Sequence, residues 1–255
     1  MRARRLARSP WIAASLVLAA LAGAALPARA DRRNFTFSYD PMTLPKGALE
    51  LEQYLTASGL KTGPGNHDLA WTYQLEAEYG VTDHFDLALY QVFGQDPGQP
   101  LAWKGYKARA RWRPTDPGDW PIDPLVYVEW VQDADGAFGF EEKLVLGRTF
   151  GRLVTVLNVT FEQERLNRSV REYTVVPSVG VGYQVRPWLT LGVEALSQHE
   201  LGGGEVESTA FAGPVVSLAG RRAWVTLAAL ARVAGGPETG PREDYRVRLI
   251  LGLDL

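Results

Sequence analysis

The ionisable residues of this chain lie in alternating stripes rather than in clusters. Lys107, Arg109, Arg111 and Arg113 occupy every second position, with Tyr106, Ala108, Ala110 and Trp112 between them. Glu76 and Glu78 alternate with Leu75, Ala77 and Tyr79, Glu50 and Glu52 with Leu49 and Leu51, and Arg246 and Arg248 with Val247 and Leu249. Asp86, Glu129, Lys143, Glu162, Glu194 and Arg232 take comparable places in segments of their own. Stripes of this kind support two chemistries. Buried charges need partners, so a ladder of ion pairs could fill an interior and fix its register. The same rings of charge could instead form a selective path for a solute. Opposite signs are interleaved: the basic stripe lies between segments carrying Asp86 and Glu129, and Glu50 and Glu52 are expected to meet Arg246 and Arg248 where the first and last segments close.

Other chemistry has little to work with. The histidines are His67, His84 and His199, without metal-ligand spacing. Ser197 stands two residues before His199, but no acid-oriented Ser–His arrangement accompanies it. Asp133-Ala134-Asp135-Gly136 suggests a calcium loop, yet Asp-Gly is first of all a hairpin-turn signal. Gly180-Val181-Gly182 and Gly202-Gly203-Gly204 lack the strand–helix setting of a phosphate loop. There is no cysteine, hence no disulfide and no thiolate site. No enzymatic activity, cofactor or metal site is expected.

The period of two that makes these stripes is the period of a β-strand. Twelve such segments recur, at about 48–58, 68–81, 84–94, 104–114, 122–132, 138–150, 153–163, 171–185, 188–198, 207–219, 223–233 and 244–255. The connections at 81–84, 150–152, 185–187 and 219–222 are tight, whereas those at 59–67, 94–103, 132–137, 163–171, 199–207 and 234–244 are longer and more polar. The connection at 115–121 falls on the tight side but is wide. Alternating tight and long connections predict an all-β, antiparallel, up-and-down transmembrane β-barrel of about 12 strands.

Alternation alone does not say which face is inside. Aromatic residues at the segment ends favour the apolar face outward: Tyr79, Phe85, Trp112, Phe150, Trp188 and Trp224 beside the tight turns would form one membrane-interface girdle. The polar stripes would then line a lumen. No apolar stretch after residue 30 approaches the length of a membrane helix, and only helices and closed barrels satisfy their backbone groups in lipid.

Residues 1–30 read as a cleaved signal peptide. Arg2, Arg4, Arg5 and Arg8 precede an apolar run from Trp11 to Leu26, and Ala28-Arg29-Ala30 supplies the small residues of a cleavage site. This segment holds five arginines and none of the 29 acidic residues, so the remaining chain is acidic, which argues against a nucleic-acid partner. Residues 31–47 are expected to be an N-terminal periplasmic segment ahead of a barrel domain at 48–255. Phe35, Phe37 and Tyr39 at alternate positions offer the alternative that it tucks into the lumen as a plug.

The stretches "LPKGALELEQYLT", "YGVTDHFDLALY" and "YRVRLILGLDL" resemble a group of bacterial outer-membrane barrels that includes the family named for the MetA pathway of phenol degradation. The resemblance implies an outer-membrane channel or transporter for small, apolar or aromatic solutes, with membrane lipid and the barrel-insertion machinery as partners. It assigns no functional residue. The competing class is a structural or interaction barrel with a charge-filled, non-conducting lumen; an outer-membrane hydrolase and a soluble periplasmic barrel are the less favoured alternatives.

Overall fold

The computed structural model describes residues 32–63, 66–165, 172–202, 205–237 and 242–255. The signal peptide expected at 1–30 lies outside them. Twelve strands follow one another: β1 (Leu49–Gly63), β2 (Asn66–Thr82), β3 (Phe85–Gln95), β4 (Ala102–Trp112), β5 (Asp123–Asp133), β6 (Phe138–Phe150), β7 (Leu153–Arg165), β8 (Glu172–Arg186), β9 (Leu189–Gly202), β10 (Glu205–Ala219), β11 (Ala223–Gly235) and β12 (Arg242–Asp254). Each strand pairs antiparallel with its sequence neighbour, and β12 pairs with β1 to close the barrel. Closure removes every free sheet edge. We call the end carrying the β2–β3, β4–β5, β6–β7, β8–β9 and β10–β11 turns the terminal end, because Leu49 and Leu255 meet there through a backbone hydrogen bond of 3.0 Å. The opposite end is distal.

Several strands are longer than the sequence spacing suggests. Gly63 and Asn66 bound one distal connection and Gly202 and Glu205 another, so the long connections expected at 59–67 and 199–207 are mostly strand. Lys61 pairs with His67, and Ser208 with His199, within continuing ladders. The physical reason is that a ladder rising above a lipid boundary no longer needs an apolar outer face. Its alternation fades from the sequence while its backbone pairing continues.

The two faces are inverted relative to a soluble barrel. Leu51, Leu55, Leu87, Leu89, Val126, Val128, Leu144, Leu157, Val159 and Val193 are exposed on the outside. Their neighbours Glu52, Thr56, Asp86, Glu129, Asn158, Thr160 and Glu194 are buried inside. A belt of this size far exceeds the apolar patches found on soluble monomers. Removing each such leucine or valine from water is worth about 1.5–3 kcal/mol, which lipid supplies.

The N-terminal segment is not a loose lead. Residues 32–47 fold into the barrel from the terminal end, and Phe35, Thr36, Ser38 and Leu44 are almost wholly buried there. Arg32 donates to the carbonyl of Pro187 in the β8–β9 turn, and Gly47 donates to the carbonyl of Gly80 near the β2–β3 turn. Both ends of the segment therefore lie at the terminal end, with its middle raised into the lumen. Asn34 closes the loop on itself: its backbone N–H and side-chain amide donate to the Asp40 carboxylate at 2.9 and 3.2 Å. The compact shape is that of an Ω-loop.

Candidate functional site: a plugged, charge-lined lumen

The loop is held by inward side chains of the barrel, those of β7 to β11 foremost. Glu194 on β9 receives the backbone N–H groups of Thr36, Phe37 and Ser38 together with the Thr36 hydroxyl, the Thr36 and Phe37 N–H contacts measuring 3.1 and 2.8 Å. Successive N–H groups curled around one anion form a nest, here filled by a carboxylate of the barrel. On β7, the Asn158 side chain accepts from the Tyr39 N–H and donates to the Tyr39 carbonyl. The Ser38 hydroxyl donates to Ser178 on β8 at 3.0 Å. Ser217 on β10 and Thr226 on β11 both donate to the Arg33 carbonyl.

Packing follows the same design. The Phe35 ring lies in a cluster with Val156, Leu196, Phe211, Val215, Ala228 and Leu230. A Cβ at Gly180 would stand 2.6 Å from this ring, and one at Gly147 would stand 2.7 Å from Pro41. The Gly180-Val181-Gly182 stretch is thus a seat for an aromatic ring. Burial pushes the Asp40 carboxyl up, opposed by its hydrogen bonds from Asn34.

The wall opposite Glu194 carries a tight charge network. Arg109 contacts Glu76 at 2.7 Å and Glu78 at 2.6 Å, with Asp86 at 3.6 Å. Arg111 forms a two-point contact with Asp86 and also meets Glu78. The Arg109 guanidinium donates to the Tyr90 hydroxyl at 2.8 Å, and the Tyr54 hydroxyl lies between Glu52 and Glu76. All these groups are buried. Arg113 is tied to the Asp83 carbonyl and the Thr43 hydroxyl at the terminal end. The register explains the arrangement: Asp86 lies opposite Arg111 across β3–β4, and Tyr90 lies opposite Glu76 across β2–β3.

Among the described residues, a cavity lies on each side of the loop. A terminal cavity of about 260 Å³ is lined by Arg32, Asn34, Asp40, Asp123 and Arg148, among others. A distal cavity of about 250 Å³ is lined by Arg33, Phe37, Tyr39, Lys107, Glu129, Lys143, Glu162, Arg246 and Arg248, among others. They share no lining residue, and loop residues line both: Arg32, Asn34 and Asp40 the terminal one, Arg33, Phe37 and Tyr39 the distal one.

In the distal cavity Lys107 pairs with Glu129 at 2.9 Å and Lys143 with Glu141 at 2.8 Å. The Lys143 ammonium lies over the Tyr39 ring at 4.2 Å and the Tyr127 ring at 4.5 Å.

Two expectations about side-chain placement need correction. Trp224 does not belong to an interface girdle: it is wholly buried, and its indole N–H donates to Glu50 at 3.0 Å. Gly252 leaves it room, since a Cβ there would lie 2.2 Å from the indole. Tyr79, Trp112, Phe150 and Trp188 are exposed on the outer surface, and Phe85 is half-buried next to the inward Asp86.

Glu50 and Glu52 do not meet Arg246 and Arg248. The closing register sets Glu50 against Asp254 and Glu52 against Gly252, while Arg248 lies against Thr56. Alternation identifies the face, but the register comes from where the chain ends pair. Glu52 instead faces Arg33 of the loop at 3.8 Å, a partner that strand-by-strand reasoning could not find. Arg246 pairs with Glu243 and reaches Gln198 at 2.7 Å, and Arg232 pairs with Asp244 near the distal end.

The Ser197 and His199 side chains do meet, at 3.0 Å, but the other ring nitrogen of His199 faces the Ser208 hydroxyl, where a triad would place a carboxylate. Asp133–Gly136 forms the β5–β6 turn, with Gly136 at a φ of 95° and its N–H bonded to the Asp133 carbonyl. No group of three or more metal-ligating side chains occurs among the described residues.

Comparison with known proteins bears on the fold. A family of unknown function (DUF6662) matches residues 138–248. No curated protein matches the sequence. The structure is similar to the COG4313 outer membrane channel from Pseudomonas putida F1, with a TM-score of 0.66 and 13% identity over 87% of this chain and 100% of that one. The β domain of the Bordetella autotransporter BrkA gives a TM-score of 0.49 at 11% identity, covering 82% of this chain and 100% of that chain. The likeness to the COG4313 channel agrees with an outer-membrane type of barrel and lends nothing to the MetA-pathway name.

Proposed function

We propose that this chain is an outer-membrane barrel through which small polar solutes pass, and that residues 32–47 close its lumen at rest. Export by a signal peptide at 1–30, assembly by the barrel-insertion machinery and a lipid surround belong to this reading. The observation that carries it is the loop's position: its residues line a cavity towards each end of the lumen. That loop is tethered by hydrogen bonds and one aromatic seat rather than by strand pairing. Charged side chains and tyrosines dominate the lining of the distal cavity, which favours a polar solute over the apolar or aromatic one expected from the resemblance.

A second reading is a non-conducting structural barrel, favoured by the packed Arg109–Arg111 network that fills one side of the lumen. Planar-bilayer recording separates the two. The mature protein is expected to conduct weakly, and a variant lacking residues 32–40 to conduct several-fold better. If both are silent while migrating on unheated gels as folded barrels, the channel reading fails and the structural one stands.

A further inference from the structure

Most charges lining the distal cavity are matched. Lys107, Lys143, Arg33 and Arg246 each have a carboxylate partner. Two groups are left over, and they have opposite signs. Glu162 on β7 makes no hydrogen bond or ion pair with any described residue, although it lies directly across the ladder from Glu141, which in turn lies opposite Glu129. That wall therefore holds three carboxylates at one level against two lysines. Arg248 on β12 has no carboxylate at ion-pair distance among the described residues. Its Nε donates to Thr56 and its Nη1 to the Thr36 carbonyl, and its guanidinium lies 4.0 Å over the Phe37 ring. These contacts fix the guanidinium and leave Nη2 without a protein acceptor among the described residues.

The strand order sets β7 and β12 on nearly opposite walls. Both residues line the same cavity. Twelve strands spaced ~4.8 Å apart and tilted ~40° close to a cylinder about 24 Å across, so side chains from opposite walls leave roughly 10 Å between their charges. An anion alone would leave Glu162 uncompensated, and a cation alone would leave Arg248 so. A ligand carrying both charges several bonds apart satisfies both, and a cavity of about 250 Å³ limits it to a small molecule.

We propose that the distal cavity is a binding site for a small zwitterion of dipeptide length, with its ammonium group at Glu162 and its carboxylate at Arg248. The inference rests on reading this cavity as part of a solute path. Its test, however, needs no flux.

Ligand-observed NMR titration of the refolded mature protein in detergent would use glycylglycine as probe, with N-acetylglycylglycine and glycylglycinamide as the forms lacking one charge. Glycylglycine should bind at least tenfold more tightly than either analogue. Glu162→Gln should weaken glycylglycine about tenfold and leave N-acetylglycylglycine unchanged. Arg248→Gln should weaken both and leave glycylglycinamide unchanged. Neither substitution breaks an ion pair among the described residues, so the barrel should persist, as read from unheated-gel migration.

Equal binding of the three probes, no binding by the unsubstituted protein, or indifference to Glu162→Gln would overturn the proposal. Binding without conductance would remove the channel and keep the site. Conductance without binding would remove the site alone.

Discussion

At the scale of single residues, Glu194 and Arg109 do different work. Glu194 holds the loop: its carboxylate receives three consecutive backbone N–H groups and a hydroxyl. Hydrogen bonds to a charged group contribute about 1.5–3 kcal/mol each, and those made to one carboxylate are lost together. Glu194→Ala should therefore release the loop while the barrel stays closed, and hydrogen exchange at Thr36–Ser38 should rise by orders of magnitude with little change in the strands. Gly180→Leu should give the same exchange pattern by a different route, because its side chain would occupy the Phe35 seat. Arg109 holds the wall. Replacing it with Met leaves Glu76 without its ion-pair partner and Glu78 and Asp86 with Arg111 alone, a change that costs about 3–5 kcal/mol for a broken buried pair. The temperature at which the folded gel band disappears should fall clearly for Arg109→Met and hardly at all for Glu194→Ala. The inward direction of both residues is legible from alternation. Their partners are not, because Glu194 binds a segment nearly 160 positions away in sequence, through backbone groups that leave no compositional trace.

At the scale of elements, legibility depends on how different the two faces of a strand are. The β2–β3 hairpin reads directly, because Glu76, Glu78 and Asp86 alternate with Leu75, Ala77, Tyr79 and Leu87 around a tight turn. β11 does not. Its sequence AWVTLAALARVAG is apolar on both faces, since its inner side packs Ala228 and Leu230 into the Phe35 cluster, so nothing in the pattern turns Trp224 inward. Trp224→Phe keeps most of the buried ring but removes the indole donor to Glu50. The expected loss is about 1–3 kcal/mol, read as a lower unfolding midpoint in urea, whereas Trp188→Phe on the outer surface should change it little. Distal strand extensions such as Leu60–Gly63 were equally hidden, as their ladders persist where the lipid-facing pattern stops.

At the scale of the whole molecule, one inversion organises everything else. Apolar side chains face outward, charges face inward, and the interior that a soluble barrel would fill with leucine is filled here by ion pairs and by the chain's own N-terminal loop. In the proposed reading the loop is the movable part, because it is attached through wall side chains rather than strand pairing over Arg33–Asp40. The chain has no cysteine, so an engineered pair is unambiguous. The Ser38 and Ser178 hydroxyls stand 3.0 Å apart, close enough for Ser38→Cys with Ser178→Cys to form a bridge from loop to wall. The most direct measurement is single-channel recording of this double variant under oxidising and then reducing conditions in the same bilayer. Oxidation should hold the lumen shut, and reduction should restore openings to the frequency of the unsubstituted protein. The same current before and after reduction, with the bridge shown to form and break, would contradict a lumen closed by its N-terminal segment.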